Sequence, residues 1–201
     1  MKIGLHCAAL AAVSFVGVAS AETLATLDGK FNVDNIFQAY VSDSAVTLGT
    51  QFAQSGGSWQ NMDVGSFNFT QAGTYYLHVV ATDQGPPAMF VGEFTLTDGT
   101  ATATFVNGTQ KLYTNTTDWT AKLNSLDGAA TGIADFGAVG GGQVWDGSVK
   151  PNYTANSHYI WHTSTAGEAT VVFTTVITVV PAPSTMGLAT LGLLAAGRRR
   201  R

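Results

Sequence analysis

Between residues 31 and 180 most of the chain alternates apolar and polar side chains with a period of two, the spacing that puts one face of an extended strand into a core. Gly65 to Thr70 sets Phe67 and Phe69 on one face. Thr74 to Thr82, TYYLHVVAT, predicts the strongest strand, after a turn at Gln71-Ala72-Gly73 and before a break at Gly85-Pro86-Pro87. Phe31 to Val33 and Ile36 to Ser42 predict strands either side of Asp34-Asn35, and Ala45 to Phe52 predicts another. Phe94 to Thr97 and Thr100 to Phe105 flank Asp98-Gly99, which predicts a β-hairpin, and Asn107-Gly108 repeats the turn signal. His158 to Trp161 and the long Val/Thr run from Ala169 to Val180 close the series, the latter apolar enough for a central position in a sheet. Asn124 to Gly147 is glycine-rich and weakly patterned, and predicts a long loop with at most one short strand. No stretch shows the period of an amphipathic helix. The expected fold is all-β: an antiparallel β-sandwich of jelly-roll-like form.

The two ends follow other rules. Lys2, an apolar stretch from Ile3 to Val18 and the small-x-small site Ala19-Ser20-Ala21 predict a signal peptide over residues 1–21, cleaved to leave Glu22 first. Signal peptidase and the export machinery are the partners this implies. The single cysteine, Cys7, falls inside that segment, so the predicted mature chain has neither disulfides nor thiol chemistry. At the other end Pro181-Ala182-Pro183-Ser184 precedes a weakly apolar stretch, Met186 to Gly197, and then Arg198, Arg199, Arg200 and Arg201. That stretch is shorter than the roughly 20 residues a stable transmembrane helix needs. It predicts a short hydrophobic helix in transient contact with the membrane, its arginines on the cytoplasmic side. Residues 22–179 are left as the β-sandwich domain, and residues 180–201 as a separate terminal signal.

Pro-Ala-Pro, a small apolar segment and an arginine cluster, in that order, resemble the bacterial PEP-CTERM sorting signal in a Pro-Ala-Pro-Ser variant. The resemblance implies recognition by an exosortase-type membrane protease, removal of the tail, and a cell-surface or extracellular destination after brief anchoring of the precursor in the inner membrane. The body weakly resembles galactose-binding-like jelly-roll modules, through VDNIFQAYVSD, a loop Trp59, AGTYYLHVVATDQG and YIWHTSTAGEATVVFTTVI. Such modules often bind carbohydrate and often hold a structural calcium.

Charge narrows the partners. Residues 22–179 carry thirteen acids against four lysines, Lys30, Lys111, Lys122 and Lys150, a net charge of −9. Nucleic acid is excluded as a partner, because phosphate binding needs clustered Lys and Arg. Extracellular polysaccharide is the expected ligand, with Trp59, Trp119 and Trp145 as candidate glycan-binding residues, since each lies near loop amides and carboxylates. Trp161 reads as core. His158 and His162 lack a third ligand nearby, so no metal site is expected. Asp127, Asp135 and Asp146 border the glycine-rich segment, but no spacing marks a calcium loop, and no cofactor is expected. No nucleophile elbow, zinc-protease motif or phosphate loop is present, so the domain reads as non-catalytic. The alternatives are a structural or adhesive surface protein without a discrete site, and a diverged secreted glycan hydrolase using Glu93 or Glu168.

Overall fold

The computed structural model describes residues 21–163 and 169–182. The signal peptide apart from Ala21, the tail from Pro183 through Ser184 to Arg201, and Glu168 lie outside the described residues. In chain order the strands are β1 (Ala25–Asp34), β2 (Ile36–Ser42), β3 (Thr50–Gln54), β4 (Asp63–Phe69), β5 (Gly73–Thr82), β6 (Met89–Asp98), β7 (Ala101–Phe105), β8 (Lys111–Tyr113), β9 (Thr120–Leu123), β10 (Ala130–Thr131), β11 (Ile133–Ala138), β12 (His158–His162) and β13 (Thr170–Pro181). A short α-helix, α1 (Asp146–Val149), and a 3-10 turn, Lys150–Asn152, lie between β11 and β12. The strands form two antiparallel sheets packed as a sandwich. One runs β11-β12-β6-β1-β4, with β8 also on β6; the other runs β10-β9-β13-β5-β2-β3, with β7 also on β13.

The expected hairpin at Asp98-Gly99 does not form. The strands flanking it lie in different sheets, because β6 has no free edge to offer β7: β1 occupies one side, and β12 and β8 share the other. β7 therefore crosses over and pairs with β13 from Ala101 to Phe105. Gly99 serves a close approach rather than a left-handed turn, since a Cβ there would lie 2.5 Å from the Thr23 carbonyl oxygen. The Asp98 carboxylate accepts a hydrogen bond from the Ala103 amide at 2.9 Å. Asn107-Gly108 is likewise a crossover, back to the first sheet, with Gly108 at φ 75°.

β13, the longest strand, lies between β5 on one side and β9 and β7 on the other. Its inward residues Val171, Phe173, Ile177 and Val179 meet Leu77, Val79 and Ala81 of β5 in the central core. Two phenyl rings substitute for missing side chains in the other sheet. Phe31 stands opposite Gly92 and Phe94 opposite Gly29, and the rings meet edge to face at 5.1 Å. Each ring folds back over the glycine two residues before it, so a Cβ would fall 2.7 Å from the Phe31 ring at Gly29 and 2.8 Å from the Phe94 ring at Gly92. Here both glycines lie in strands paired on both sides, and the rings fill the sheet face where the glycines have no side chain.

The glycine-rich segment is more ordered than its pattern predicts. It contains β10, an edge strand of the second sheet, β11, an edge strand of the first, and α1; from Val139 to Tyr153 the chain builds a further layer outside the first sheet. Met89, Val91 and Tyr159 point away from the sandwich core into this layer, where Val139, Trp145, Val149 and Tyr153 cover them. β6 is thus buried on both faces, which explains its continuous apolar start, Met89-Phe90-Val91. Two polar anchors pin the layer. Glu93 accepts from the Thr154 amide at 2.6 Å, the Thr154 hydroxyl at 2.7 Å and the Ser157 hydroxyl at 3.0 Å. Asn32, 1% exposed, donates to the Trp59 and Asn61 carbonyls and accepts from the Tyr153 hydroxyl.

One histidine couples the fold to pH. His78 is fully buried; its Nε2 meets the Ser44 carbonyl at 3.3 Å and its Nδ1 meets the Thr174 hydroxyl at 2.9 Å. A carbonyl only accepts, so Nε2 carries the proton and Nδ1 accepts from Thr174. Burial depresses the pKa below 6.5, and the bonds to backbone oppose it only in part. As pH falls through 6.5 the unfolded chain takes up a proton before the folded one does. Stability is therefore full above that value and lost on acidification toward the lower folded pKa. Urea midpoints measured from about pH 7.5 down to about pH 5 should fall, and the fall should be shallower in His78→Gln.

Candidate functional site

Five segments converge at one end of the sandwich. β1 ends at Asp34, and the chain changes sheets across Asn35 to enter β2. β5 ends at Thr82, followed by Asp83 and the turn Gly85-Pro86-Pro87 that opens β6. β11 brings Ala134 and Phe136, the loop before α1 brings Gln143, Val144 and Trp145, and β12 brings Trp161 and His162. Between them lies a cleft of about 640 Å³ with mainly apolar walls. Phe136 and Val144 stand exposed at its rim, at 37% and 73%. The Phe136 and Trp145 rings lie 5.9 Å apart, and Trp145 continues inward to Tyr159 at 5.2 Å.

Polar groups hold this wall in place. The Trp145 indole N–H donates to Asp34 Oδ2 at 3.2 Å, while Asp34 Oδ1 accepts from the Asn35 side-chain Nδ2 at 2.7 Å. Burial pushes the Asp34 carboxyl above its usual range; the indole bond opposes this, and the nearby Asp83 charge adds to it. Asp146 organises the glycine turn that presents Trp145. Its carboxylate accepts from the amides of Gly140 at 2.8 Å, Gly142 at 2.7 Å and Gln143 at 3.0 Å, and from the Tyr159 hydroxyl at 2.9 Å. Burial raises its pKa, but these four bonds outweigh that and leave it below the usual value. Left-handed φ values at Gly140 and Gly142, 86° and 93°, let successive amides turn toward one carboxylate.

Of the three candidate tryptophans, only Trp145 lines the cleft. Trp119 is 4% exposed, wedged between Phe90 and Phe94 at 5.5 and 5.4 Å, with its N–H donating to the Tyr113 carbonyl. It lies in the core, outside the lining of this cleft. Trp59 packs in the layer outside the first sheet, away from the cleft lining. Trp161 belongs to the core, as its strand pattern suggests, and also lines the cleft. Phe136, Asp83 and His162 join it there without any signal in their local sequence beyond the Gly-Pro-Pro turn that follows Asp83.

The three aspartates near the glycine-rich segment do not converge. Asp127 is exposed, Asp135 pairs with His158 at 2.7 Å, and Asp146 is committed to its turn. Among the described residues, no three His, Cys, Asp or Glu side chains group as they would around a metal ion. Glu93 is saturated by its loop anchors and by Lys30 at 3.8 Å.

Residues 179–201 match the PEP-CTERM protein-sorting motif. The match marks an exported protein, sorted to the cell surface and processed by the membrane protease exosortase. Its first residues are the end of β13: Val179, Val180 and Pro181 are paired to β7, and Pro181 and Ala182 are exposed. No curated protein and no solved structure matches the chain, and the galactose-binding-like resemblance finds no support in these comparisons.

Proposed function

We propose that this cell-surface protein holds extracellular polysaccharide, without catalysis and without a cofactor, in the cleft walled by Phe136, Trp145 and Trp161. Residues 1–21 serve as its signal peptide, cleaved after Ala21, and the tail keeps the precursor briefly at the inner membrane until sorting is complete. The observation that carries the binding reading is the cleft's make-up. The exposed Phe136 ring at the open rim suits the apolar C–H face of a sugar ring, the buried Trp145 and Trp161 back it with apolar wall, and Asp83, Gln143, His162 and Thr163 stand beside them for hydroxyl groups. Asp83 is the single carboxylate in that lining among the described residues, whereas glycoside hydrolysis uses two facing each other. This favours binding over turnover.

Affinity electrophoresis in gels containing different polysaccharides tests the reading. The protein should be retarded in at least one of them. Phe136→Ala, at an exposed ring, should weaken that interaction by about tenfold with little change in stability, since 1.4 kcal/mol corresponds to a factor of ten. If no polysaccharide retards the protein, or Phe136→Ala changes nothing, the cleft is not a glycan site, and a structural or adhesive role takes its place.

A further inference from the structure

Below the aromatic wall the cleft carries an unbalanced charge. Asp83 is 3% exposed and lines the cleft. Its Oδ1 accepts from the Gly85 amide at 2.9 Å. No cation meets it among the described residues, where the lysine–carboxylate pair is Lys30 with Glu93. Asp34, 5% exposed, adds a second carboxylate close enough to interact unfavourably. No lysine or arginine lines the cleft among the described residues. A carboxylate this far from water is normally matched by a cation or a metal. Metal is disfavoured by the lack of a ligand cluster among the described residues. His162 does not supply the charge, because burial favours its neutral ring and the Asp83 charge opposes this only in part. It is nonetheless a polar group waiting for a partner: it is 7% exposed, lines the cleft, and its Nδ1 has no hydrogen-bond partner among the described residues. The walls favour a cation too, since indole and phenyl faces attract positive charge.

The geometry points to an amino-bearing sugar unit, a hexosamine with a free ammonium group, as the ligand of this cleft: its ring lies against the exposed Phe136, its ammonium meets Asp83, and its hydroxyls face Gln143 and the His162 ring. The inference rests on the polysaccharide reading and narrows it. An N-acetylated sugar lacks the charge that would satisfy Asp83. A uronic acid sets a second negative charge against it, which is unfavourable at any separation this cleft allows.

Calorimetric titration of the full chain with four oligomer series decides the matter: glucosamine, N-acetylglucosamine, neutral glucose and uronate. The glucosamine series should bind at least about tenfold more tightly than the N-acetylated one, and uronates should not bind. Asp83→Asn keeps an oxygen for the Gly85 amide and removes the charge, so it should abolish the preference while leaving binding to neutral oligomers in place. Equal affinity of the unmodified protein for glucosamine and N-acetylglucosamine would overturn amine selection and leave the polysaccharide reading standing. That comparison needs no variant, so it holds even if Asp83→Asn fails to fold. Uronates binding best would likewise overturn it. If no series binds while a longer polysaccharide retards the protein, amine selection at this cleft fails alone; if neither binds, both readings fail.

Discussion

A chain running from Glu22 and ending after Thr175 should not fold, whereas one ending after Ala182 should melt as the longer protein does. The seven residues between the two endpoints include the last part of β13. They carry the pairs Val176 with Tyr76 through Val179 with Gly73 on one edge, and all the pairing to β7 on the other. Ile177 and Val179 are buried in the core, and each such side chain is worth roughly 1.5–3 kcal/mol. Ala101, Ala103 and Phe105 of β7 are also buried, and β7 has no other partner strand among the described residues. Hydrogen bonds lost along two edges add about 0.5–1.5 kcal/mol each. The total is comparable with the roughly 5–15 kcal/mol that holds a domain together. Near-ultraviolet circular dichroism and urea titration of the two chains give the answer. A cooperative, native-like transition in the shorter one would show that β13 is less central than its pairing indicates.

Asn32→Ala should cost about 3–5 kcal/mol, a large effect for one polar residue. The amide ties three distant points together: the Trp59 carbonyl at 2.6 Å, the Asn61 carbonyl at 2.8 Å and the Tyr153 hydroxyl at 2.8 Å. Alanine leaves these groups without their partner at a site where the side chain is 1% exposed. An unsatisfied buried group costs about 1–3 kcal/mol, more than a typical bond contributes when made. Asn32→Asp should be worse, since it sets a buried carboxylate against two carbonyl oxygens. The urea midpoint measures the loss. Tryptophan fluorescence locates it, because Trp59 and Trp145 both pack in the outer layer that Asn32 anchors. A midpoint unchanged in Asn32→Ala would mean that water replaces these bonds at no cost.

The strands were legible where alternation and partner agree. TYYLHVVAT became β5 and the Val/Thr run became β13, because their inward positions fill one core and their length exceeds any turn. The first half of β1 was missed: the strand pattern is broken at Asp28-Gly29-Lys30, and it is pairing to β4 and β6, with the Phe31 and Phe94 rings over Gly29, that carries the strand through. Asp98-Gly99 misled because a turn signal reports that the chain reverses, not which strand receives it; free edges elsewhere decide that. The layer from Val139 to Tyr153 has no period of its own, since its shape comes from one carboxylate, Asp146, and from Trp145 docking on Tyr159. Trp119 and Trp145 both adjoin an aspartate in the sequence, yet one is sealed between phenyl rings and the other lines an opening. The cleft is drawn from Asp83 through Thr163, out of segments far apart in the chain, so no local pattern could announce it.

The direction of β13 sets the molecule's orientation. Its first residue, Thr170, pairs with Thr82 beside the aromatic opening, and its last, Pro181, pairs with Ala101 at the opposite pole. A twelve-residue strand at roughly 3.3 Å per residue puts about 36 Å between those poles. The sorting motif, which begins at Val179, and the aromatic opening therefore lie at opposite ends of the sandwich, so removal of the tail leaves the walls of the opening untouched.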